Sequence, residues 1–264
     1  MTNKKKKVLF EYTHPKKGIL DVFRKRLKTK LSLTGLENDH IVNIIARNES
    51  FYENSLLSVI YRWVNSRLDY AIDVGANIGN HTVFFAKILG AEVLCIEPTP
   101  KLMQLLRVNI QDNDVNDKVR LFETALGNSD GSIKLVQPSE NNTGMNYTSI
   151  NGDVDSSVIS VSSTRLDTLI ESFDLKGKKI LLKIDVEGSE FEVIQGGIEF
   201  IKKTKPIIVV EIHSNEQLKH VSGLLKQAGY CNPYILPAAS PTYIFDTGLR
   251  FIKSKFSETL VALY

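Results

Sequence analysis

Short apolar segments of strand length alternate with amphipathic helical stretches from Tyr70 onward, and this alternation constrains the fold more than any other feature. Residues 70–74 and 91–96 read as strands, separated by an apolar helix over 82–89. Thr99 then caps a helix with Pro100 in its first turn, carrying Leu102, Leu105, Leu106 and Ile110 on one face. Residues 119–124 form a third strand and 132–136 an extra one. The apolar runs 180–186 and 207–212 read as buried strands, followed by helices over 190–201 and 216–227. A strand that repeatedly hands over to a helix demands a parallel sheet with helices on both faces. Residues 242–246 and 259–263 look like shorter strands that close the sheet antiparallel. Upstream, Leu56, Leu57, Val59, Ile60, Trp63 and Val64 have helical spacing.

With 264 residues, 42% apolar and 24% charged, the chain is sized for one α/β domain and is neither disordered nor collagen-like. Cys95 and Cys231 are too few for a disulfide framework or a four-thiolate zinc site, which points to a reducing, cytoplasmic setting. No apolar run is long enough to span a bilayer, and Val8 to Phe10 is too short for a signal-peptide core. Charge is divided unevenly. Residues 1–30 hold eleven Lys/Arg against Glu11 and Asp21, a net of +9, which leaves −6 on the rest of a chain whose total is +3. Residues 1–50 therefore read as a basic extension, partly helical because Leu20, Phe23, Leu27 and Leu31 recur at three- and four-residue steps. Such a segment suits a solvated leader or peripheral contact with an anionic membrane face. Residues 51–264 read as the folded domain, interrupted by the Asn- and Ser-rich segment 139–157, which suits a lid on the acceptor side. Nothing in the sequence sets an oligomeric state.

The turn Asp73-Val74-Gly75-Ala76-Asn77-Ile78-Gly79-Asn80 sits where the first strand of the alternation becomes a helix. Gly75 and Gly79 permit close backbone approach, and the helix N-terminus offers free N–H groups. The spacing G-x-x-x-G is not the pyrophosphate fingerprint G-x-G-x-x-G, so a ligand lying edge-on to the turn fits better. Glu97 closes the next strand, where a carboxylate can accept from both hydroxyls of a ribose. A nucleoside-type ligand follows.

Asp73 to Gly79 resembles the first motif of Rossmann-like S-adenosylmethionine-dependent methyltransferases. Leu182-Lys183-Ile184-Asp185-Val186-Glu187-Gly188-Ser189-Glu190 is more specific, as are Val193-Ile194-Gln195-Gly196-Gly197 and Ile207-Ile208-Val209-Val210-Glu211-Ile212-His213. Together they resemble the FkbM-type methyltransferases, over residues 51–213. The resemblance implies a doubly wound, mostly parallel seven-stranded sheet with an antiparallel C-terminal strand, and S-adenosylmethionine as cofactor. It implies that Gly75, Ala76, Asn77 and Gly79 cradle the methionine part, that Glu97 holds the ribose and that Ala125 meets the adenine. Asp73, Asn80, His81, Thr82, Pro98 and Asp185 complete the expected contact set. It further implies O-methylation of a sugar, glycan or other small hydroxylated metabolite.

Lys183, Asp185 and Glu187 share one parity, and Glu211 and His213 share the same parity on a neighbouring strand, so all five address one crevice mouth. Buried charge must be paired, hydrated or metal-bound. Asp185, Glu187 or His213 is the expected general base, with Lys183 and Glu211 in the same catalytic group. Mg²⁺ on Asp185, Glu211 and His213 is an open alternative that is not favoured, because Mg²⁺ takes few protein carboxylates. Glu53, before the upstream helix, is either a cap or a cofactor contact, and Glu190 is a helix-end acid. An RNA or other nucleic-acid methyltransferase, and a non-catalytic S-adenosylmethionine-binding protein, are the alternative readings. Asn232-Pro233-Tyr234 is placed as a turn rather than an amino-methylating motif.

Overall fold

The computed structural model describes residues 4–15, 27–64, 68–137 and 157–247. The chain opens with β1 (Lys5–Thr13) and β2 (Lys28–Leu36), followed by α1 (His40–Asn48) and α2 (Asn54–Trp63). The alternating part comprises β3 (Tyr70–Val74), α3 (Asn80–Val83), β4 (Glu92–Ile96), α4 (Pro100–Asp112) and β5 (Val119–Phe122). Then come β6 (Ala125–Gly127), β7 (Gly131–Gln137), β8 (Ser157–Arg165) and α5 (Leu166–Leu169). The last part holds β9 (Ile180–Ile184), α6 (Glu190–Gly196), α7 (Ile198–Thr204), β10 (Ile207–Glu211), α8 (Asn215–Gln227), β11 (Tyr234–Leu236) and β12 (Thr242–Phe245).

The main sheet has seven strands in the order β11-β12-β10-β9-β3-β4-β5. Strands β10, β9, β3, β4 and β5 run parallel, while β12 pairs antiparallel with β10 and β11 antiparallel with β12. Successive residues serve opposite faces. Ala71 and Val93 pack with the helices on one side, Ile72 and Leu94 with those on the other, and all four are fully buried. The chain runs outward from β3 through β4 to β5 and then returns to the other flank of β3 as β9. That reversal opens a crevice beyond the carboxyl ends of β3 and β9, where open α/β sheets bind their ligands.

The N-terminal part departs from the expected helix. β1 and β2 pair antiparallel from Lys5↔Leu36 to Thr13↔Lys28, and Leu31 lies within β2. A step of four residues suits one face of a strand as well as one face of a helix. Val8, Phe10 and Tyr12, and Leu31 and Leu33, alternate with period two and bury against the core. Side-chain amides fasten β2 to α4. Asn109 accepts from the Thr34 N–H at 2.6 Å and donates to the Thr34 carbonyl at 2.9 Å. Asn113 treats Ser32 the same way, at 3.0 and 2.6 Å. Leu20 and Phe23 lie outside the described residues, as do 139–156 of the polar segment and 259–263 of the last expected strand.

Other boundaries shift for local reasons. The helix expected over 82–89 begins at Asn80 and widens into a π-helical turn over Phe84–Ile88. The helix expected over 190–201 breaks at Gly197, whose φ of -114° and ψ of 14° are not helical; a Cβ on Gly196 would sit 1.9 Å from the Gly127 carbonyl oxygen and one on Gly197 2.7 Å from Leu166, so both positions pack closely against β6 and α5. Thr99 does not cap α4 through its side chain. Tyr234 starts the edge strand β11 rather than a simple turn. The extra strand expected over 132–136 is β7, and it belongs to a second sheet ordered β6-β8-β7, whose other two strands were not expected because β8 is polar and pairs with β7 across the 138–156 segment. Among the described residues no helix is long and apolar enough to cross a membrane.

Candidate active site

The crevice is a cavity of about 760 Å³, walled by the ends of β3, β4, β9 and β10, the second sheet, and the segment before α2. Its middle is the turn after β3. Gly75 has φ +75°, and a Cβ there would lie 1.8 Å from the Asp185 carbonyl oxygen, so only glycine lets the two strand ends approach this closely. Gly79, at φ +90°, lies against Leu106, where a Cβ would be 2.4 Å from Cδ1. Asn77 also has positive φ, at 54°.

One end of the cavity is built around Glu97. Its two oxygens accept from the Asn77 N–H and the Thr99 N–H, each at 2.9 Å. Burial pushes its carboxyl upward, and those N–H groups work in the opposite direction. Ile96, Leu102, Ala125, Leu126, Ile133 and Leu135 make the adjoining wall apolar. Ala125 was expected there; Ile133 and Leu135 come from β7, which was expected as a strand but not as part of the site.

Beneath the turn lies a buried ion cluster. Lys183 Nζ is 3.5 Å from Asp73 Oδ1 and 3.2 Å from Asp185 Oδ2, and it donates to the Gly75 carbonyl at 3.2 Å. Burial opposes the lysine charge, but Asp185 and Asp73 outweigh it and hold its pKa above the ordinary value. Thr82 donates to Asp73 Oδ2 at 2.6 Å. Asp73, Gly79 and Thr82 therefore shape the turn from behind and do not line the cavity, whereas Gly75, Ala76, Asn77, Pro98 and Glu97 do.

Asn80 and His81 border the cavity, but Asn80 uses its amide to clamp the segment before α2. It accepts from the Tyr52 N–H at 3.0 Å and donates to the Tyr52 carbonyl at 3.1 Å. That clamp sets Tyr52 and Glu53 into the cavity wall. Glu53 sits at the N-cap of α2 with φ 55° and makes no side-chain cap bond. Its carboxyl instead accepts from the Ala239 N–H at 3.1 Å and lies 3.5 Å from His81 Nε2. His81 is fully buried, and burial followed by the Lys183 charge holds it well below its ordinary pKa, so its ring is neutral. Tyr52 had no sequence signal beyond preceding Glu53; only tertiary contact reveals it.

The other end collects the remaining acids. β9 stops at Ile184, although the Asp185 N–H still bonds the Val74 carbonyl at 3.1 Å. Glu187 takes φ 55°, so strict alternation does not hold there, yet its side chain still lines the cavity. His213 Nε2 lies 2.8 Å from Glu211 Oε1 and 3.9 Å from Glu187 Oε2. Burial, then the Asp185 charge, pushes Glu211 up to about 8, and burial followed by Asp185 also raises Glu187. Glu190 accepts from the Gly188 N–H at 2.9 Å and from Gln217, tying the acidic loop to α8. Asp185, Glu211 and His213 do not converge as a metal site, and among the described residues no group of three His, Cys, Asp or Glu does. The physical reason is that Asp185 faces the Lys183 ammonium and Glu211 faces His213.

A seven-stranded sheet with this switch point, glycine turn and acid-ended second strand defines the Rossmann-like methyltransferase fold. The same fold occurs in a crystal structure of the FkbM methyltransferase of Methylobacillus flagellatus KT, with TM-score 0.54 and 17% identity over 74% of this chain and 48% of that one. The chain belongs to the FkbM methyltransferase family, whose domain description, "Methyltransferase FkbM domain", matches residues 73–231. It is 31% identical over 160 residues to the hexuronic acid methyltransferase AglP of Haloferax volcanii, covering 61% of this chain and 62% of that protein. It is 29% identical over 153 residues to the 2-O-methyltransferase NoeI of Sinorhizobium fredii, covering 51% of this chain and 59% of that protein. The matched part thus spans about three fifths of these relatives' lengths.

Proposed function

We propose that the protein is an S-adenosylmethionine-dependent O-methyltransferase acting on a hydroxyl of a sugar, glycan or other small hydroxylated metabolite. The observation that carries this reading is a single cavity with Glu97 and an apolar wall at one end and the His213–Glu211 pair at the other. The residues present fit the cofactor. The Gly75 turn has no room for a Cβ and brings bare backbone to the cavity, and Glu97 is fixed by two N–H groups while its oxygens keep lone pairs for ribose hydroxyls. Ile96, Leu102, Ala125 and Leu126 offer adenine an apolar slot. When bound, the cofactor supplies an activated methyl carbon.

The chain's own task is then to position the acceptor, keep water out and take the hydroxyl proton. Of the expected bases, His213 is the best placed. Glu211 lies 2.8 Å from Nε2; once ionised it accepts from that nitrogen and fixes the tautomer, which leaves Nδ1 as the acceptor of the proton. Asp185 is paired with the Lys183 ammonium at 3.2 Å, which suits it to holding the turn. The names of the two curated relatives, one specifying hexuronic acid and one a 2-O-methyl position, support a sugar hydroxyl as acceptor. Calorimetry with S-adenosylmethionine, S-adenosylhomocysteine and NAD, followed by transfer of labelled methyl to a panel of sugars and RNA, tests the proposal. Binding of NAD in place of both sulfur compounds would sink it.

A further inference from the structure

We propose that the acceptor end of this cavity selects sugar residues that carry no carboxylate or phosphate, taking neutral or amine-bearing acceptors and turning away uronates. The inference rests on the methyl-transfer reading and concerns which acceptors that site admits. Glu53, Asp185, Glu187 and Glu211 all line the cavity, with His213 2.8 Å from Glu211 and 3.9 Å from Glu187. The Tyr52 hydroxyl reports their convergence: burial, then the fields of Glu53, Glu211, Asp185 and Glu187, push it up to about 12.

Cations do not balance these acids. Lys183 is engaged by Asp185, Asp73 and the Gly75 carbonyl at 3.2, 3.5 and 3.2 Å. His213 lies against Glu211 and Glu187. His81 lies 3.5 Å from Glu53 and is held neutral. His40, at the cavity edge, is exposed and packs edge-on against Tyr52. Among the described residues that line the cavity there is no arginine and no lysine besides Lys183. The cofactor's sulfonium offsets one negative charge, and the wall stays acidic.

A neutral sugar gains in such a place, because its hydroxyls donate to carboxylate oxygens that accept only. An ammonium group gains more. A uronate meets like charge in a partly buried wall where salt screens weakly. It can be received only if a carboxyl takes up a proton, and burial already favours that form at Glu53, Glu187 and Glu211. Anionic acceptors should therefore lose further ground as pH rises.

The test uses the full chain, methyl-labelled S-adenosylmethionine and matched methyl glycosides of glucose, glucosamine and glucuronic acid. Alongside them runs a total oligosaccharide pool whose products are hydrolysed to monosaccharides and separated on an anion exchanger. The expected result is that at about pH 9, above the raised value of about 8 for Glu211, kcat/KM for the glucuronide is lower by about 100-fold or more, the scale of one like-charge juxtaposition. Labelled monosaccharide from the pool should pass the exchanger unretained. Glu187→Gln should narrow the gap only partly, roughly tenfold, because Glu53, Asp185 and Glu211 remain on the wall. Transfer to the glucuronide as good as to the glucoside, or label mainly in the retained fraction, overturns the selectivity and leaves methyl transfer standing. Binding of S-adenosylhomocysteine with no label in any sugar instead removes the sugar methyl-transfer reading, and this inference with it.

Discussion

Lys183→Met removes the cation under the glycine turn and keeps a side chain of similar length. Lys183 is 5% exposed and Asp73 0%, so the substitution leaves a carboxylate in the interior with the Thr82 hydroxyl, at 2.6 Å, as its remaining donor. Breaking a buried ion pair by deleting one partner costs about 3–5 kcal/mol. Asp185, with a 28% exposed side chain, recovers water and softens the loss, which places the expectation near the lower end, about 3 kcal/mol. For a chain of this size that corresponds to a fall in Tm of roughly 6–12 °C. The sign with pH follows from the raised lysine pKa. Its contribution is fully present below the pKa of a free lysine and is lost only as pH rises through the folded value, so the wild type holds all of it between about pH 5 and 9. In the variant the loss should shrink toward pH 5, where protons take over the neutralising role. Urea and thermal unfolding at pH 5 and 7 measure both effects. A variant within 2 °C of wild type (about 1 kcal/mol or less) at pH 7, with no change at pH 5, would refute the claim that this cluster holds the turn.

Gly75→Ala should destabilise the fold by at least about 1–2 kcal/mol from the positive φ alone and abolish cofactor binding, because its Cβ would meet the Asp185 carbonyl oxygen at 1.8 Å; unfolding and calorimetry would report wild-type values if that turn were slack. Glu97→Ala should weaken S-adenosylhomocysteine by about 1–3 kcal/mol in the same calorimeter, the cost of hydrogen bonds to a charged group. Since Glu211 is pushed up to about 8, kcat/KM should climb as pH rises through that value, and Glu211→Gln should flatten the climb. His213→Gln should lower kcat by roughly 10²–10⁴ with cofactor affinity little changed, and near-normal turnover would exclude it as the base.

The succession of strands and helices, the glycine turn and the acids at 97, 185 and 211 were legible in the sequence because each follows from local rules, whereas Glu187 lines the cavity from a left-handed turn that parity does not describe. Period-two and period-3.6 burial mark the elements, and parity along β9 and β10 sends Asp185 and Glu211 to the same crevice. The N-terminal hairpin was misread because a four-residue step fits a strand face as well as a helix face; pairing of β2 with β1 and the Asn109 and Asn113 amides, from far along the chain, hold it as a strand. Which acids are paired and which face open cavity was also beyond the sequence. Lys183 could have served Asp73, Asp185 or Glu211 by spacing alone, and its choice depends on β3 lying beside β9 in register, with Asp73 opposite Lys183. Tyr52 and Glu53 enter the site through the Asn80 clamp, a contact between segments with no shared local signal. Periodicity along one strand or helix sets where each side chain points, so the sequence by itself determined the sheet and the residues aimed at its carboxyl edge. Pairing depends on distances between elements far apart in the chain, so only the tertiary structure decided which charges cancel and which remain for an acceptor.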